Sequence, residues 1–131
     1  MVFTSGTAGS PKAAMLSHGN LRSNIAQVLS IPGTKHEADD VGFWLLPLFH
    51  IFGLNIVMTT GLAIGATVML VQRFDPHTAA ESIVSREVTV IPGAPAMWTA
   101  FTHFDELPAD TFASVRVALS GASKLPVATF H

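Results

Sequence analysis

The sequence predicts an α/β fold, with a mainly parallel sheet flanked by helices. Short apolar segments rich in β-branched residues alternate with helical segments along the chain, which is the order of strand–helix–strand units. The run from Val41 to Gln72 contains no formally charged residue, as is typical of elements buried in a parallel sheet that helices cover on both faces. No repeat, low-complexity tract or interdomain linker interrupts this alternation.

The first predicted helix begins after Ser17, a suitable N-cap, and ends at Pro32-Gly33. Its apolar face comprises Leu21, Ile25, Val28 and Leu29. The most charged stretch of the chain, Thr34–Asp40, follows this helix. A solvated turn, rather than a metal site, is predicted for its polar side chains, His36, Glu37 and Asp39.

The uncharged run divides into a strand at Phe43–Leu46, a helix at Ile51–Leu62 and a strand at Thr67–Val71. Proline, histidine, asparagine and glycine residues interrupt it, which favours a buried strand–helix–strand unit over a transmembrane helix. A membrane-associated interaction segment built on this run is an alternative, and partitioning into lipid would reveal it.

The second half of the chain continues the alternation. Asp75 is a predicted N-cap, with Pro76 at the first helical position. A short strand is predicted at Val88–Ile91, a helix beginning at Pro95 follows, and Val115–Leu119 is the next strand.

Composition excludes several classes of protein. The net charge of −2 and the scattered basic residues argue against a nucleic-acid partner, and the absence of cysteine excludes disulfides, zinc–thiolate sites and cysteine nucleophiles. Residues 1–15 lack a secretory pattern, so a cytoplasmic location is expected. Only 12% of residues are charged, about half the roughly 25% of an ordinary soluble domain. So few charged residues cannot cover the surface of a self-contained domain. We therefore expect exposed sheet edges and apolar patches, and these favour oligomers.

The most informative segment is Thr4-Ser5-Gly6-Thr7-Ala8-Gly9-Ser10-Pro11-Lys12. Its glycines let successive N–H groups point at one spot, its hydroxyls add donors, and Lys12 adds a positive charge that suits phosphate. The segment thus predicts a polyphosphate-binding loop. A Walker A loop is a poor match, because Pro11 stands where its second glycine should be and Ala13 where its hydroxyl should be. An ordinary turn with a solvated lysine is the remaining alternative.

Other candidate residues follow predicted strands. His50 comes after Phe43–Leu46, Gly93-Ala94 after Val88–Ile91, and Gly121-Ala122 after Val115–Leu119. The carboxyl ends of the strands in an open α/β sheet are where ligands bind. Any one of these positions is explained equally well by a strand–helix turn that requires glycine. Together with the loop at Thr4–Lys12, they favour a pocket for a nucleotide and an acid.

These segments resemble the adenylate-forming acid–CoA ligases and their relatives. The phosphate loop and the following Leu16-Ser17-His18-Gly19-Asn20-Leu21 resemble that family's first motif, apart from Ala8 in place of a threonine and Ala13 in place of a glycine. Pro47-Leu48-Phe49-His50-Ile51-Phe52-Gly53 is similar to its Pro-x-Phe-His-x-x-Gly segment. Leu119-Ser120-Gly121-Ala122-Ser123-Lys124-Leu125 is similar to a loop beside the adenine and acyl pocket. The three motifs occur in the family's order.

The resemblance implies a two-step reaction, in which a carboxylic acid and ATP give an acyl-adenylate and coenzyme A then takes the acyl group. It implies ATP, Mg²⁺ and coenzyme A as co-substrates, a fatty or aryl acid as substrate, and His50 and Lys12 as catalytic residues. The implied contacts to the β- and γ-phosphates come from Thr4, Ser5, Gly6, Thr7, Gly9 and Lys12. The implied walls of the adenine and acyl pocket are Phe49, Phe52, Gly93, Ala94, Gly121, Ala122 and Ser123.

The resemblance also implies that residues 1–131 are part of the large N-terminal domain of such an enzyme, truncated at both ends and without the small C-terminal domain. The family's Thr-Glu motif, ribose-binding aspartate and catalytic lysine come later, and no Thr-Glu dipeptide occurs here. The usual acidic ligand of Mg²⁺ would then also lie elsewhere, so no metal ligand is assigned. On this basis we expect the 131 residues to be inactive alone. A non-catalytic nucleotide-binding remnant is the alternative, and His50 could instead be a packed histidine at a helix start.

Overall fold

The computed structural model describes residues 2–4 and 10–130. Two short strands, β1 (Val2–Thr4) and β2 (Lys12–Ala14), form an antiparallel pair in which Thr4 lies opposite Lys12. Helix α1 (His18–Leu29) follows. The predicted cap is confirmed, because the Asn20 N–H donates to Oγ of Ser17 (3.1 Å) while the Ser17 N–H donates to Oδ1 of Asn20 (2.9 Å).

The main sheet has four parallel strands in the order β4-β3-β5-β6. These strands are β3 (Val41–Trp44), β4 (Thr67–Leu70), β5 (Val90–Gly93) and β6 (Val117–Ser120). The central strands β3 and β5 are mostly buried, whereas β4 and β6 have only half-buried and exposed positions. The predicted fold class is therefore confirmed.

Helices cover both faces of this sheet. A π-helical segment (Phe52–Thr59) continues into α2 (Thr60–Ile64), and α3 (Pro76–Ser85), α4 (Pro95–Thr102) and α5 (Val127–Phe130) follow. The core between the sheet and α3 and α4 contains Phe43, Ile83, Ile91 and Phe101. Phe101 packs edge-on against Phe74 and Phe112, with ring centroids 5.4 and 5.3 Å apart.

Three strand bounds differ from the prediction by about two residues, each for a local reason. Leu45 and Leu46, which precede Pro47, are not paired with a neighbouring strand, so β3 ends at Trp44. The Val88 N–H still donates to the Ile83 carbonyl at the end of α3 (3.0 Å), so β5 begins at Val90. The Val115 N–H closes a turn on the Phe112 carbonyl (3.0 Å), which delays β6 to Val117.

Two helix predictions also need correction. Helix α1 ends at Leu29 rather than at Pro32-Gly33, because the Ile31 N–H donates to the Val28 carbonyl and forms a tight turn there. The predicted helix at Ile51–Leu62 is present, but its first part has π rather than α hydrogen bonds. The Thr60 N–H, for example, donates to the carbonyl of Asn55, five residues back.

The predicted solvated turn before β3 is wrong in part. Asp39 is exposed, but His36 and Glu37 are half-buried and Asp40 is only 3% exposed. Asp40 is buried because its carboxylate accepts hydrogen bonds from three groups in neighbouring segments, the Glu37 N–H, the Thr89 hydroxyl and the Arg116 guanidinium.

In the part of the chain that the structure describes, no helix has both the length and the apolar character that crossing a bilayer requires.

Candidate functional site

The candidate site lies at the carboxyl edge of the parallel sheet. Trp44, Leu70, Gly93 and Ser120 are the last residues of β3, β4, β5 and β6, and parallel pairing brings them to the same edge. The segments that follow these strands, except that after β4, are those that the sequence singled out. This edge is where open α/β sheets bind ligands.

Two of the predicted segments meet through Phe52 and Gly121. A Cβ atom added to Gly121 would lie 2.6 Å from Cζ of Phe52 and 2.7 Å from its Cε1, so the ring rests directly on the Gly121 backbone. The Gly121 N–H donates to the Gly93 carbonyl (3.1 Å). The structure thus brings Phe52, Gly93 and Gly121 together, although they are far apart in sequence.

Gly93 is buried beneath the first turn of α4. A Cβ at this position would lie 3.1 Å from Cε of Met97 and 3.1 Å from Nε1 of Trp98. The Ala94 N–H donates to Sδ of Met97 (3.4 Å), which holds the methionine over the strand end. Trp98 was not among the pocket residues predicted from the sequence, and its indole Nε1 is buried without a hydrogen-bond partner among the described residues.

Ala122 and Ser123 follow β6 and are both exposed. Ala122 has φ = 71°, a left-handed conformation that is unfavourable for a residue with a Cβ atom. Strained backbone of this kind is frequent at ligand sites. The position of Ala122 at the sheet edge agrees with the prediction for this loop, while its contact with a nucleotide stays a prediction.

The segment that carries His50 is folded tightly after β3. The His50 N–H donates to the Pro47 carbonyl (3.0 Å), and a Cβ on Gly53 would lie 2.4 Å from that same oxygen. Only glycine therefore allows the π-helical segment to start so close to Pro47. Phe49, by contrast, is 90% exposed and packs little, so its role as a pocket wall stays a prediction.

The imidazole of His50 is exposed and held by its own segment. The Phe52 N–H donates to its Nδ1 atom (3.1 Å). Because Nδ1 accepts this hydrogen bond, the neutral ring carries its proton on Nε2. His50 is therefore set up as a hydrogen-bond donor through Nε2.

Lys12 is the first residue of β2 and lies opposite Thr4 of β1 in the antiparallel pair. Lys12 is exposed. Ser5, Gly6, Thr7 and Gly9 lie outside the described residues, and their phosphate contacts stay a prediction together with those of Thr4 and Lys12.

A polar network ties the amino ends of three strands at the opposite edge of the sheet. Asp40, just before β3, accepts hydrogen bonds from the Arg116 guanidinium (2.5 Å) and the Thr89 hydroxyl (2.8 Å) through Oδ1, and from the Glu37 N–H (2.8 Å) through Oδ2. Burial alone would raise the pKa of Asp40, but these hydrogen bonds outweigh it and lower the pKa. The hydrogen bond to Asp40 in turn raises the pKa of Arg116.

Sequence reasoning missed this network and also missed Asn55, which is 1% exposed within the π-helical segment. A polar residue inside an apolar helical run was the only available signal for Asn55. The charge of Asp40 and Arg116 gave no indication of their pairing, because they are 76 residues apart.

Among the described residues, no group of three histidine, aspartate or glutamate side chains converges in a way that could hold a metal ion.

Fold and geometry together define a parallel α/β domain with a candidate ligand site at the carboxyl edge of its sheet. Residues 1–131 match the model of one protein family, described as AMP-binding enzyme. The chain belongs to this family, and the resemblance to adenylate-forming acid–CoA ligases is confirmed.

Similar proteins and structures agree with this assignment. The chain is 38% identical over 127 residues to 4-coumarate–CoA ligase 4 of Arabidopsis thaliana, with 95% of this chain and 22% of that protein covered. It is 32% identical over 125 residues to the long-chain-fatty-acid–CoA ligase of Bacillus subtilis (strain 168), with 95% and 22% covered. The crystal structure of ATP-bound MatB from Rhodopseudomonas palustris superposes with a TM-score of 0.87 at 30% identity, with 98% and 25% covered. The chain thus spans about a quarter or less of the length of these relatives.

Proposed function

We propose that this chain forms part of the ATP- and acid-binding domain of an acid–CoA ligase, within a longer enzyme. The proposed reaction activates a fatty or aryl carboxylic acid as an acyl-adenylate and transfers the acyl group to coenzyme A. A cytoplasmic location is part of the proposal and rests on the sequence pattern alone.

One observation carries the proposal. The Phe52 ring lies on Gly121, whose N–H donates to Gly93, so three separately predicted segments meet at one edge of the sheet. An apolar ring over bare glycine backbone is suited to contact a flat or extended apolar group. The names of the similar ligases, one acting on 4-coumarate and one on long-chain fatty acids, support this class of acid.

The first proposed step needs no general base. A carboxylic acid has a pKa of about 4–5, so its carboxylate is already ionised at neutral pH. One carboxylate oxygen forms a bond to the α-phosphorus of ATP, and the bond from that phosphorus to the bridging oxygen breaks as pyrophosphate leaves. The protein contributes positioning and neutralisation of charge.

The residues of this chain take distinct parts in that step. Lys12 and the hydroxyl and N–H groups of the loop from Thr4 to Gly9 would bind the β- and γ-phosphates and stabilise the departing pyrophosphate. His50 would donate from Nε2 to the carboxylate and orient it. Phe49, Phe52, Gly93 and Ala94 would form walls, and Gly121, Ala122 and Ser123 would lie near the adenine.

The second proposed step transfers the acyl group. The sulfur of coenzyme A bonds to the acyl carbon, its proton is lost to solvent, and AMP leaves with the electrons of the carbon–oxygen bond. Mg²⁺ bound to the phosphates would neutralise part of their charge when present.

The decisive experiment uses the full-length protein that contains this chain. Pyrophosphate release is measured with ATP and a panel of aryl, medium-chain and long-chain acids, and thioesters formed with coenzyme A are identified by mass spectrometry. Acid-dependent pyrophosphate release followed by a matching acyl-CoA supports the proposal. ATP binding without release for any acid would contradict it and would indicate a nucleotide-binding remnant.

A further inference from the structure

Asn55 joins the π-helical segment to helix α1. Its side-chain Nδ2 donates to Oδ1 of Asn24 (2.9 Å) and also approaches the carbonyl of Leu21 (3.4 Å). Leu21 and Asn24 are three residues apart and therefore lie on the same face of α1. Asn55 is 1% exposed, so water does not compete for these hydrogen bonds.

The amide of Asn55 is costly to bury. Its Oδ1 atom has no hydrogen-bond partner among the described residues, and leaving a buried polar atom unpaired costs about 1–3 kcal/mol. An apolar side chain of similar volume, such as leucine, would pack between the two helices without that cost. What leucine could not supply is a directional bond that fixes one helix against the other.

The link joins the two helical segments that follow His50 and Lys12 along the chain. On one side, the Leu54 N–H donates to the His50 carbonyl (2.9 Å), so His50 directly precedes the helical turn that leads to Asn55. On the other side, Leu21 is in the first turn of α1, which is capped by Ser17 and follows the strand that contains Lys12. One hydrogen-bonded pair thus connects the segment of His50 with the segment of Lys12.

We propose that Asn55 is a positioning residue that sets the segment of Lys12 against the segment of His50. The inference rests on the proposed function, because the two segments matter together only where phosphate and carboxylate must meet. A displacement of about 1 Å between reacting groups can cost roughly a hundredfold in rate. Loss of the link should therefore slow acyl-adenylate formation in protein that is still folded.

The test measures acyl-adenylate formation by the full-length protein, trapped as the hydroxamate, with kcat and the KM values for ATP and acid determined separately. We expect Asn55→Leu to lower kcat about tenfold or more, because α1 and the π-helical segment are no longer held in one relative position. Asn24→Leu should act in the same direction. The double variant should be little worse than Asn55→Leu, because both changes remove one shared interaction.

Two matched variants separate positioning from general stability. Asn24→Asp keeps the acceptor oxygen that faces Asn55 and should retain kcat within about threefold. Thr59→Val removes a hydroxyl that donates to the Leu54 carbonyl (2.7 Å) within the same segment, and should leave kcat unchanged. If Asn55→Leu does not fold, the pair Asn24→Leu and Asn24→Asp still provides the comparison.

Folded Asn55→Leu and Asn24→Leu proteins with parental kcat and KM for ATP would overturn the inference while leaving the proposed function intact. Equal losses in Thr59→Val and Asn55→Leu would also overturn it, since they would indicate a general effect of weakening the segment. A parental protein that forms no acyl-adenylate with any acid would overturn the proposed function first and this inference with it.

Discussion

The hydrogen bond at His50 predicts which ring nitrogen donates to a bound ligand. With Nδ1 accepting from the Phe52 N–H, Nε2 is the donor of the neutral ring, and its exposure leaves it accessible to a ligand. We expect His50→Ala to lower kcat for acyl-adenylate formation about 10²-fold, comparable to removing one donor from an oxyanion site. His50→Gln, which keeps a neutral donor, should lose less. Equal activity of His50→Ala and the parental protein would assign His50 to packing at the helix start.

Lys12 provides a contrasting prediction, because its proposed partner is the nucleotide rather than the acid. Lys12→Ala should raise the KM for ATP by about tenfold through loss of a charge-assisted phosphate contact, and should leave the KM for the acid within about twofold. Initial-rate kinetics with each substrate varied in turn measure both values. An unchanged KM for ATP would refute the phosphate assignment.

The contact of Gly121 with Phe52 allows the proposed acyl wall to be tested through the size of the residue at position 121. In Gly121→Ala the new methyl group would overlap the Phe52 ring, so the ring must shift and the pocket must change shape. We expect the KM for a bulky acid to rise about tenfold, and Phe52→Leu in the same protein to restore it partly because the smaller side chain relieves the overlap. Gly19→Ala is the control, since a Cβ there meets only Oγ of Ser17, at an ordinary 3.5 Å. A bulky-acid KM unaffected by Gly121→Ala would place the acyl group elsewhere.

Individual residues differed in how far the sequence could locate them. His50, Gly93 and Gly121 were predicted to lie near one edge because each follows a predicted strand, and strand ends meet at one edge in a parallel sheet. Asp40, Arg116 and Asn55 were not found, because their partners are distant in sequence and only the packed structure creates their surroundings. The contact between Phe52 and Gly121 was likewise invisible, since motifs fix which segments approach but not which atoms touch.

At the scale of elements, the pattern of strands and helices was predictable while their ends were not. Hydrophobic alternation locates a buried strand, but the last ladder pair depends on neighbours such as Pro47 or the Ile83 carbonyl. The π-helical segment could not have been predicted from periodicity, which favours an ordinary helix there. Side chains contribute to it, because the hydroxyls of Thr59 and Thr60 donate to carbonyls five residues back, those of Leu54 and Asn55.

The network of Asp40, Thr89 and Arg116 holds three strand starts together and should contribute to stability. Asp40→Asn removes the charge while three donors still point at the position, and we expect the free energy of unfolding to fall by about 2–3 kcal/mol. Urea unfolding of the full-length protein at pH 7 measures this difference. Lys35→Ala is the control, because Lys35 pairs with Glu37 at the surface and such pairs contribute under about 1 kcal/mol.

The same pair of proteins gives a prediction for pH. The folded-state pKa of Asp40 is below its unfolded value of about 3.9, so its contribution to stability is present above that value and is lost as pH falls through the folded pKa. The difference in unfolding free energy between the parental protein and Asp40→Asn should therefore be constant from pH 7 to about pH 5 and should shrink below about pH 4. A difference that stays constant at pH 3 would show that the charge of Asp40 is not what stabilises the fold.

The whole molecule has a larger solvent-accessible area than a compact monomer of the same mass would have. Its accessible area is 8529 Å², whereas a compact monomer of 13.9 kDa would have about 6,700 Å². The exposed large apolar side chains include Phe3, Met15, Phe49, Leu62, Leu70 and Val127. Among the described strands, β4 and β6 each have one edge without a partner. Unpaired edges and apolar patches of this kind promote association between chains.

We therefore expect the 131-residue polypeptide, expressed alone, to associate at micromolar concentration. Light scattering coupled to size exclusion should give a mass above 13.9 kDa that rises with protein concentration. Replacing Leu62 and Leu70, 60% and 59% exposed, by lysine should shift the distribution toward monomer, because it places charge on the edge strand β4 and on the exposed apolar surface of α2. Gln72→Lys adds charge at an exposed polar position nearby and should shift it less, with circular dichroism confirming that each variant is folded. A concentration-independent monomer would show that these apolar faces do not drive association, and the low charge content would then need another explanation.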